Sequence, residues 1–423
     1  MIRTLTAAAL LAASTLAPAT AQQAVPAAGV ETPFPFTYLR NLARYYVTEG
    51  KTANMVIGVA VGDSSAIWIN EGQLGLRAGA AADEQSIYRI YSMTKPVTGM
   101  ATMMLIDEGK LGLDQPLAET LPAFSKMMVQ KTYDGSVTDL VPAERPITIR
   151  HLLTHTAGLG YSIIQKGPIR EQYVKYGVVP GQVTRLPIPG LGREEAIRGL
   201  DKFANNLAQL PLVLQPGSKW SYSVSLDLLG RVIEVASGMS FDEYLRTQIF
   251  EPAGMNSTFF RVPKSEVPRL TTNYGIMGGT PLPLDPAGAS IYLDDPAFPF
   301  GGAGLVSSPR DYDHFLKMLL GYGEIDGKRV MSEAAVRLGT SNLLPETAVT
   351  KGTWVEGQGF GAGGRVTDGS FGWGGAAGTV AFVNYPAKLR ASLYTQYMPS
   401  EAYPIHEGFP NAVQADLAAM MGA

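Results

Sequence analysis

Ser92-Met93-Thr94-Lys95-Pro96-Val97 opens a run that is apolar at Met93, Val97, Met100, Ala101, Met104 and Leu105 and closes at Gly109. That spacing reads as a mostly buried helix. A serine at i and a lysine at i+3 share a helix face, so the amine of Lys95 can reach the hydroxyl of Ser92. A serine hydroxyl is a poor nucleophile until a base removes its proton, and a lysine desolvated by an apolar pocket can be that base. A helix N-terminus at Ser92 adds free backbone N–H groups and a dipole that favours a developing oxyanion. Pro96 costs little there, because first-turn N–H groups have no intrahelical partner. With 24 Ser and 14 Lys in 423 residues, chance alone supplies about one Ser-x-x-Lys pair. The meaning of the pair therefore depends on its surroundings.

Upstream, Thr37 to Gly50 carries Leu39, Leu42, Ala43 and Tyr46 at helical spacing. Val56 to Val61 and Ala66 to Asn70 are short β runs separated by Gly62, Asp63 and Ser64, which is hairpin chemistry. Downstream, Leu226 to Ser237 and Phe241 to Glu251 read as helices between Pro- and Gly-rich loops, and Gly158 to Pro189 is long enough to be a lid or pocket wall. Thr379 to Asn384 and Ala391 to Gln396 are β runs, and Asn411 to Met421 is a helix. Strands at both ends around a helical middle predict an α/β (α+β) fold with an antiparallel sheet flanked by helices. The α/β domain is expected over 37–120 and 300–423, with a mostly helical inserted domain over 121–299.

Absences narrow the chemistry. The chain has no Cys, which removes disulfides, thiolate metal sites and a cysteine nucleophile. No serine sits in Gly-x-Ser-x-Gly, and there is no His-Glu-x-x-His and no Walker loop. Gly359, Gly361 and Gly364 match Gly-x-Gly-x-x-Gly, but no β run precedes them and no helical pattern follows, so they read as a flexible loop. His151 and His155 are spaced i, i+4 like two ligands on one helix face, yet Leu152 stands where a metalloprotease carries its base, and packing and turn hydrogen bonds are the better reading. No metal and no cofactor is expected. Lys plus Arg at 34 against Asp plus Glu at 37 gives a net charge of -3, which speaks against a nucleic-acid partner.

Met1 to Ala21 has one early cation, Arg3, an apolar run from Leu5 to Leu16 and small residues at Ala19 and Ala21. This is the pattern of a secretory signal peptide cleaved after Ala21, with a linker over 22–36. The run is shorter than the roughly 18–20 residues of a membrane span. A periplasmic or secreted bacterial protein without stable membrane insertion is the expectation, and the oligomeric state is open.

Further blocks give the Ser92 motif its company. Pro216-Gly217-Ser218-Lys219-Trp220-Ser221-Tyr222-Ser223 precedes a helix, and Trp373-Gly374-Gly375-Ala376-Ala377-Gly378-Thr379 enters a strand. Leu152 to Leu159 and Gly301 to Ser308 complete the set. In these blocks the chain resembles the serine β-lactamase and penicillin-binding protein superfamily over roughly 37–415, most of all the class C β-lactamase-like hydrolases known as family VIII carboxylesterases. The resemblance implies a β-lactamase-like fold with Ser92 as acylated nucleophile, Lys95 as its base and Tyr222 as a relay for the proton. It also implies an oxyanion hole from the N–H groups of Ser92 and Ala376, and a substrate edge at Trp373, Gly374, Gly375 and Val224. Val224 and Trp373 depart from the Asn and Lys usual in lactamases, and Trp373 matches the esterase pattern. Loss of those polar groups favours neutral esters over β-lactams. The expected activity is cleavage of small-molecule carboxylic esters with short to medium acyl chains. The alternatives are a β-lactamase, D-amino-acid peptidase or amidase, or acyltransferase of the same fold, or a non-hydrolysing protein that binds β-lactam or peptidoglycan.

Overall fold

In the computed structural model the described residues are 36–76, 78–187 and 195–422. The leader expected over 1–21 and the linker, save Phe36, lie outside them. Helix α1 (Thr37–Thr48) buries Leu39, Leu42, Ala43 and Tyr46 on one stripe, as the 3.6-residue period requires. Its first N–H groups, which lack intrahelical acceptors, donate to Asp416 from Tyr38 and Leu39 at 3.0 and 2.9 Å. Strands β1 (Asn54–Val61), β2 (Ile67–Gly75) and β3 (Ala78–Ala81) follow. Helix α2 (Thr94–Asp107) is buried on every side from Thr94 to Leu105, so it runs through the interior instead of lying on a face.

Helix α3 (Ile149–Leu153), helix α4 (Ser225–Ser237) and helix α5 (Pro309–Leu320) come from the middle of the chain. The C-terminal strands are β4 (Gly359–Phe360), β5 (Arg365–Thr367), β6 (Ser370–Gly374), β7 (Val380–Asn384) and β8 (Leu389–Tyr394), before helix α6 (Ile405–Gly422). The main sheet has the order β4-β5-β6-β7-β8-β1-β2-β3 and is antiparallel throughout. β1 and β8, from opposite ends of the chain, pair at its centre, Val56 opposite Tyr394 and Val61 opposite Leu389.

Alternation sorts the two faces of the sheet. Met55, Ile57, Val59, Ala391 and Leu393 pack under α1 and α6 with Leu42, Phe409 and Val413. Val56 and Tyr394 face the other way into the large core with α2, α4 and α5. Arg390 of β8 crosses to Asp313 of α5 in a buried pair at 2.8 Å.

Two expectations are corrected. The glycines of 359–364 are a tight turn between β4 and β5, packed on α2: a Cβ on Gly99 would collide with the Ala362 carbonyl, and one on Gly363 with the Lys95 carbonyl. The middle of the chain holds helices and also two small sheets: Met128–Gln130 pairs with Leu140–Pro142, and Asn273–Met277 pairs with Thr280–Asp285 on one side and Tyr397–Met398 on the other. The expected lid stretch carries a helix, Gly167–Lys175, and its last part, 188–189, lies outside the described residues.

Candidate active site

Ser92 sits on a 3-10 turn, Tyr91–Met93, that runs straight into α2. The α-helix proper thus begins two residues later than the serine. Tyr91 holds a left-handed backbone, φ 40°, which costs a non-glycine residue about 1–3 kcal/mol and persists only when its surroundings over-determine it. Here Asn273 Nδ2 donates to its hydroxyl at 3.3 Å and the Tyr292 ring meets it edge-on. One turn on, Lys95 is wholly buried. Its Nζ donates to Ser92 Oγ at 3.2 Å and to the Gly302 carbonyl at 2.7 Å.

Tyr222 lies just ahead of α4, and its ring faces Lys95 Nζ at 4.5 Å from the centroid. The segment is held by His155: its carbonyl accepts the Ser221 N–H at 2.9 Å and its Nδ1 accepts the Ser223 N–H at 3.2 Å. An accepting Nδ1 places the imidazole proton on Nε2, which has no hydrogen-bond partner among the described residues. Burial, with the charge of Lys95 adding to it, pushes His155 well below the usual histidine range. His151 and His155 do not share a helix face. α3 ends at Leu153, and His155 turns away with φ 56° so that its ring lies tilted against Tyr222, 4.7 Å between centroids. Among the described residues no group of three or more His, Asp or Glu is placed to hold a metal ion.

The third wall is the end of β6. Trp373 Nε1 donates to the Tyr222 hydroxyl at 3.1 Å, so the tryptophan expected at the substrate edge also orients the tyrosine. The Gly375 N–H donates to the Thr379 carbonyl at 2.7 Å, and its Cα lies so near the Ile90 carbonyl that a Cβ has no room. This close approach carries Ala376 to the chain just before Ser92, in a small apolar cluster with Tyr91. Val224 differs from its expected place at the substrate edge. It caps α4 from within the large core, fully buried, and offers a substrate no surface.

Several residues at the site were not singled out from the sequence. Trp354, 47% exposed, lies 5.1 Å from the Tyr222 ring and with Trp220, Phe360 and Trp373 makes an aromatic surround. Arg365 stacks over Trp373 at 5.3 Å and donates to the Trp354 carbonyl at 3.0 Å. A cation thus stands one strand away from Trp373. Asp227, a carboxyl in an apolar helix run, lies wholly buried beside Gly302. Chemically, the site offers a hydroxyl in contact with a buried lysine, a tyrosine ring against that lysine, and backbone N–H groups at a strand end.

The family model described as Beta-lactamase matches residues 39–412. The chain belongs to the Beta-lactamase family. It is 34% identical over 349 residues, 76% of its length and 82% of the relative's, to the uncharacterized protein MT1414 of Mycobacterium tuberculosis (strain CDC 1551 / Oshkosh). It is 31% identical to Esterase EstB of Burkholderia gladioli across 57% of this chain and 59% of that one. Among solved structures, EstCE1, described as a hydrolase with promiscuous acyltransferase activity, superposes with a TM-score of 0.70 at 25% identity, covering 88% of this chain and 97% of its own. The β-lactamase-like fold expected from the sequence is the fold of this family, and its serine hydrolase relatives include an esterase.

Proposed function

We propose that this chain is an exported serine carboxylesterase that cleaves small esters with short to medium acyl chains through an acyl-enzyme on Ser92. The observation that carries the reading is the 3.2 Å contact between Ser92 Oγ and the fully buried Lys95 Nζ. Lys95 takes the Ser92 proton as Oγ attacks the ester carbonyl. The tetrahedral oxyanion is held by the N–H groups of Ser92 and Ala376. Collapse expels the alcohol, which receives a proton through Lys95 and Tyr222; water then enters, gives up a proton by the same route and releases the acid. The Trp373 to Tyr222 hydrogen bond fixes the phenol hydroxyl, and the Tyr222 ring lies 4.5 Å from Lys95 Nζ. The apolar surround of Trp354, Trp373 and Phe360 suits an uncharged acyl or alcohol part, and β-lactam turnover is expected to be weak. The leader-like Met1 to Ala21 supports export.

Acyl transfer to an alcohol in place of water is the second reading, favoured by the likeness to EstCE1. The test is p-nitrophenol release from p-nitrophenyl butyrate by the mature chain beside Ser92→Ala. Sustained turnover that falls by orders of magnitude in the variant supports the reading. Equal rates in the two proteins remove Ser92 from the chemistry, and a single burst followed by silence points to a binding protein.

A further inference from the structure

Asp227 is the third residue of α4, flanked by Leu226, Leu228 and Leu229, and all four are fully buried. Its Oδ1 accepts the Gly302 N–H at 2.8 Å, and the carbonyl of that same Gly302 accepts from Lys95 Nζ at 2.7 Å. Oδ2 has no hydrogen-bond partner among the described residues. It rests against Gly302, where a Cβ would come within 2.6 Å of it. The carboxyl and the amine do not touch; Gly302 stands between them.

A buried carboxyl with one empty oxygen weakens the fold. Asparagine would accept the Gly302 N–H equally well, and leucine would suit the apolar neighbours. What aspartate alone brings is a negative charge on the far side of Gly302 from Lys95. We propose that Asp227 is a positioning residue that acts through Gly302: its carboxylate balances the ammonium formed when Lys95 takes the Ser92 proton. This rests on the reading of Ser92 and Lys95 given above. In that step the Oγ–H bond breaks, an Nζ–H bond forms, and the charge of the transferred proton is held on the wholly buried Lys95. No co-reactant is involved. The same carboxylate, by fixing Gly302, fixes the carbonyl that aims Nζ at Ser92.

The ionisable groups around the pair are Lys95 on α2, Tyr161 and His155 on the chain after α3, and Tyr222 ahead of α4. Burial holds the Tyr161 hydroxyl well above its usual range and His155 well below its own, so both stay neutral. Burial also pushes the Asp227 carboxyl up to about 7, against the pull of Lys95. The balancing charge is therefore present above about pH 7 and fades below it.

The test compares wild type with Asp227→Asn, Asp227→Glu and Ser92→Ala on p-nitrophenyl butyrate, in stopped flow and across pH. Asp227→Asn keeps an acceptor for the Gly302 N–H and removes the charge, with an NH2 group in place of the unpartnered Oδ2. Its acylation rate is expected to fall about 10- to 100-fold with KM within about twofold, as for a group that acts on the transition state. The rise in kcat/KM centred near pH 7 should disappear, and Asp227→Glu should regain part of the rate. An Asp227→Asn variant with wild-type acylation and a wild-type pH profile overturns the proposal, while an inactive Ser92→Ala beside it leaves the nucleophile standing. An active Ser92→Ala overturns both. Should Asp227→Asn fail to fold, infrared difference spectra of the wild type decide: a carboxylic acid band that titrates near pH 7 and shifts on acylation of Ser92 is the expected result, and a band indifferent to acylation overturns the proposal.

Discussion

Replacing Gly375 by alanine would set a Cβ against two oxygens, the Ile90 carbonyl and Thr379 Oγ1, both closer than 3.0 Å. Comfortable contacts lie near 3.5 Å, so the strand end must retreat by roughly 1 Å. Overpacking of this kind costs about 1–3 kcal/mol of stability, which leaves the protein folded. The catalytic cost is larger, because the displaced residue is the immediate neighbour of Ala376, whose N–H is the proposed second oxyanion donor. Losing one such donor costs about 100- to 1,000-fold in kcat. The assay is steady-state hydrolysis of p-nitrophenyl butyrate with a thermal melt on the same preparation. kcat is expected to fall at least about 100-fold with KM little changed, while the melt shifts by only a few degrees. Adding Thr379→Ala removes one of the two contacts but not the backbone oxygen of Ile90, so the double variant should stay within about tenfold of the single one. A folded Gly375→Ala with wild-type kcat would refute the placement of Ala376 in the oxyanion hole.

Trp354→Ala removes the exposed part of the aromatic surround without touching Lys95 or Ser92, so KM should rise about 3- to 10-fold with kcat retained, read from saturation curves on an aromatic ester. A drop in kcat alone would contradict that role. His151, pushed down to about 4 by burial, is neutral in the fold and takes up a proton when unfolded below about 6.5. The unfolded state then binds more protons between those values, so stability is full above about pH 6.5 and declines by roughly 2–3 kcal/mol as pH falls toward 4. Urea melts at several pH values should show this slope, and His151→Gln should flatten it.

How much was legible in advance follows the distance along the chain. Ser92 and Lys95 are one helical turn apart, so local geometry sufficed to pair them. α1 was legible because its 3.6-residue period survives with one face buried, and β1 because a short run rich in β-branched residues reads as a strand even with both faces buried. The link from Lys95 through Gly302 to Asp227 joins three distant segments, and no local pattern encodes it. Its one visible sign was a lone carboxylate amid Leu226, Leu228 and Leu229. The histidine pair shows that i, i+4 spacing means a shared face only while a helix continues. Here the Thr154 hydroxyl bonds back to the Arg150 carbonyl and the chain turns out at His155. The family resemblance puts Val224 at the substrate edge, but packing of the α4 start against the core decides its place.

The central pairing of β1 with β8 also sets the order in which the molecule can become functional. Val56 must wait for Tyr394, so the sheet closes only when nearly the whole chain is present. Such remote pairings are slow to form. The proposed nucleophile and its base are made early, while the donor proposed at Ala376 arrives with the last strands. A nascent chain therefore carries Ser92 and Lys95 without the strand end that completes the proposed site, and the proposed chemistry begins only after release and closure.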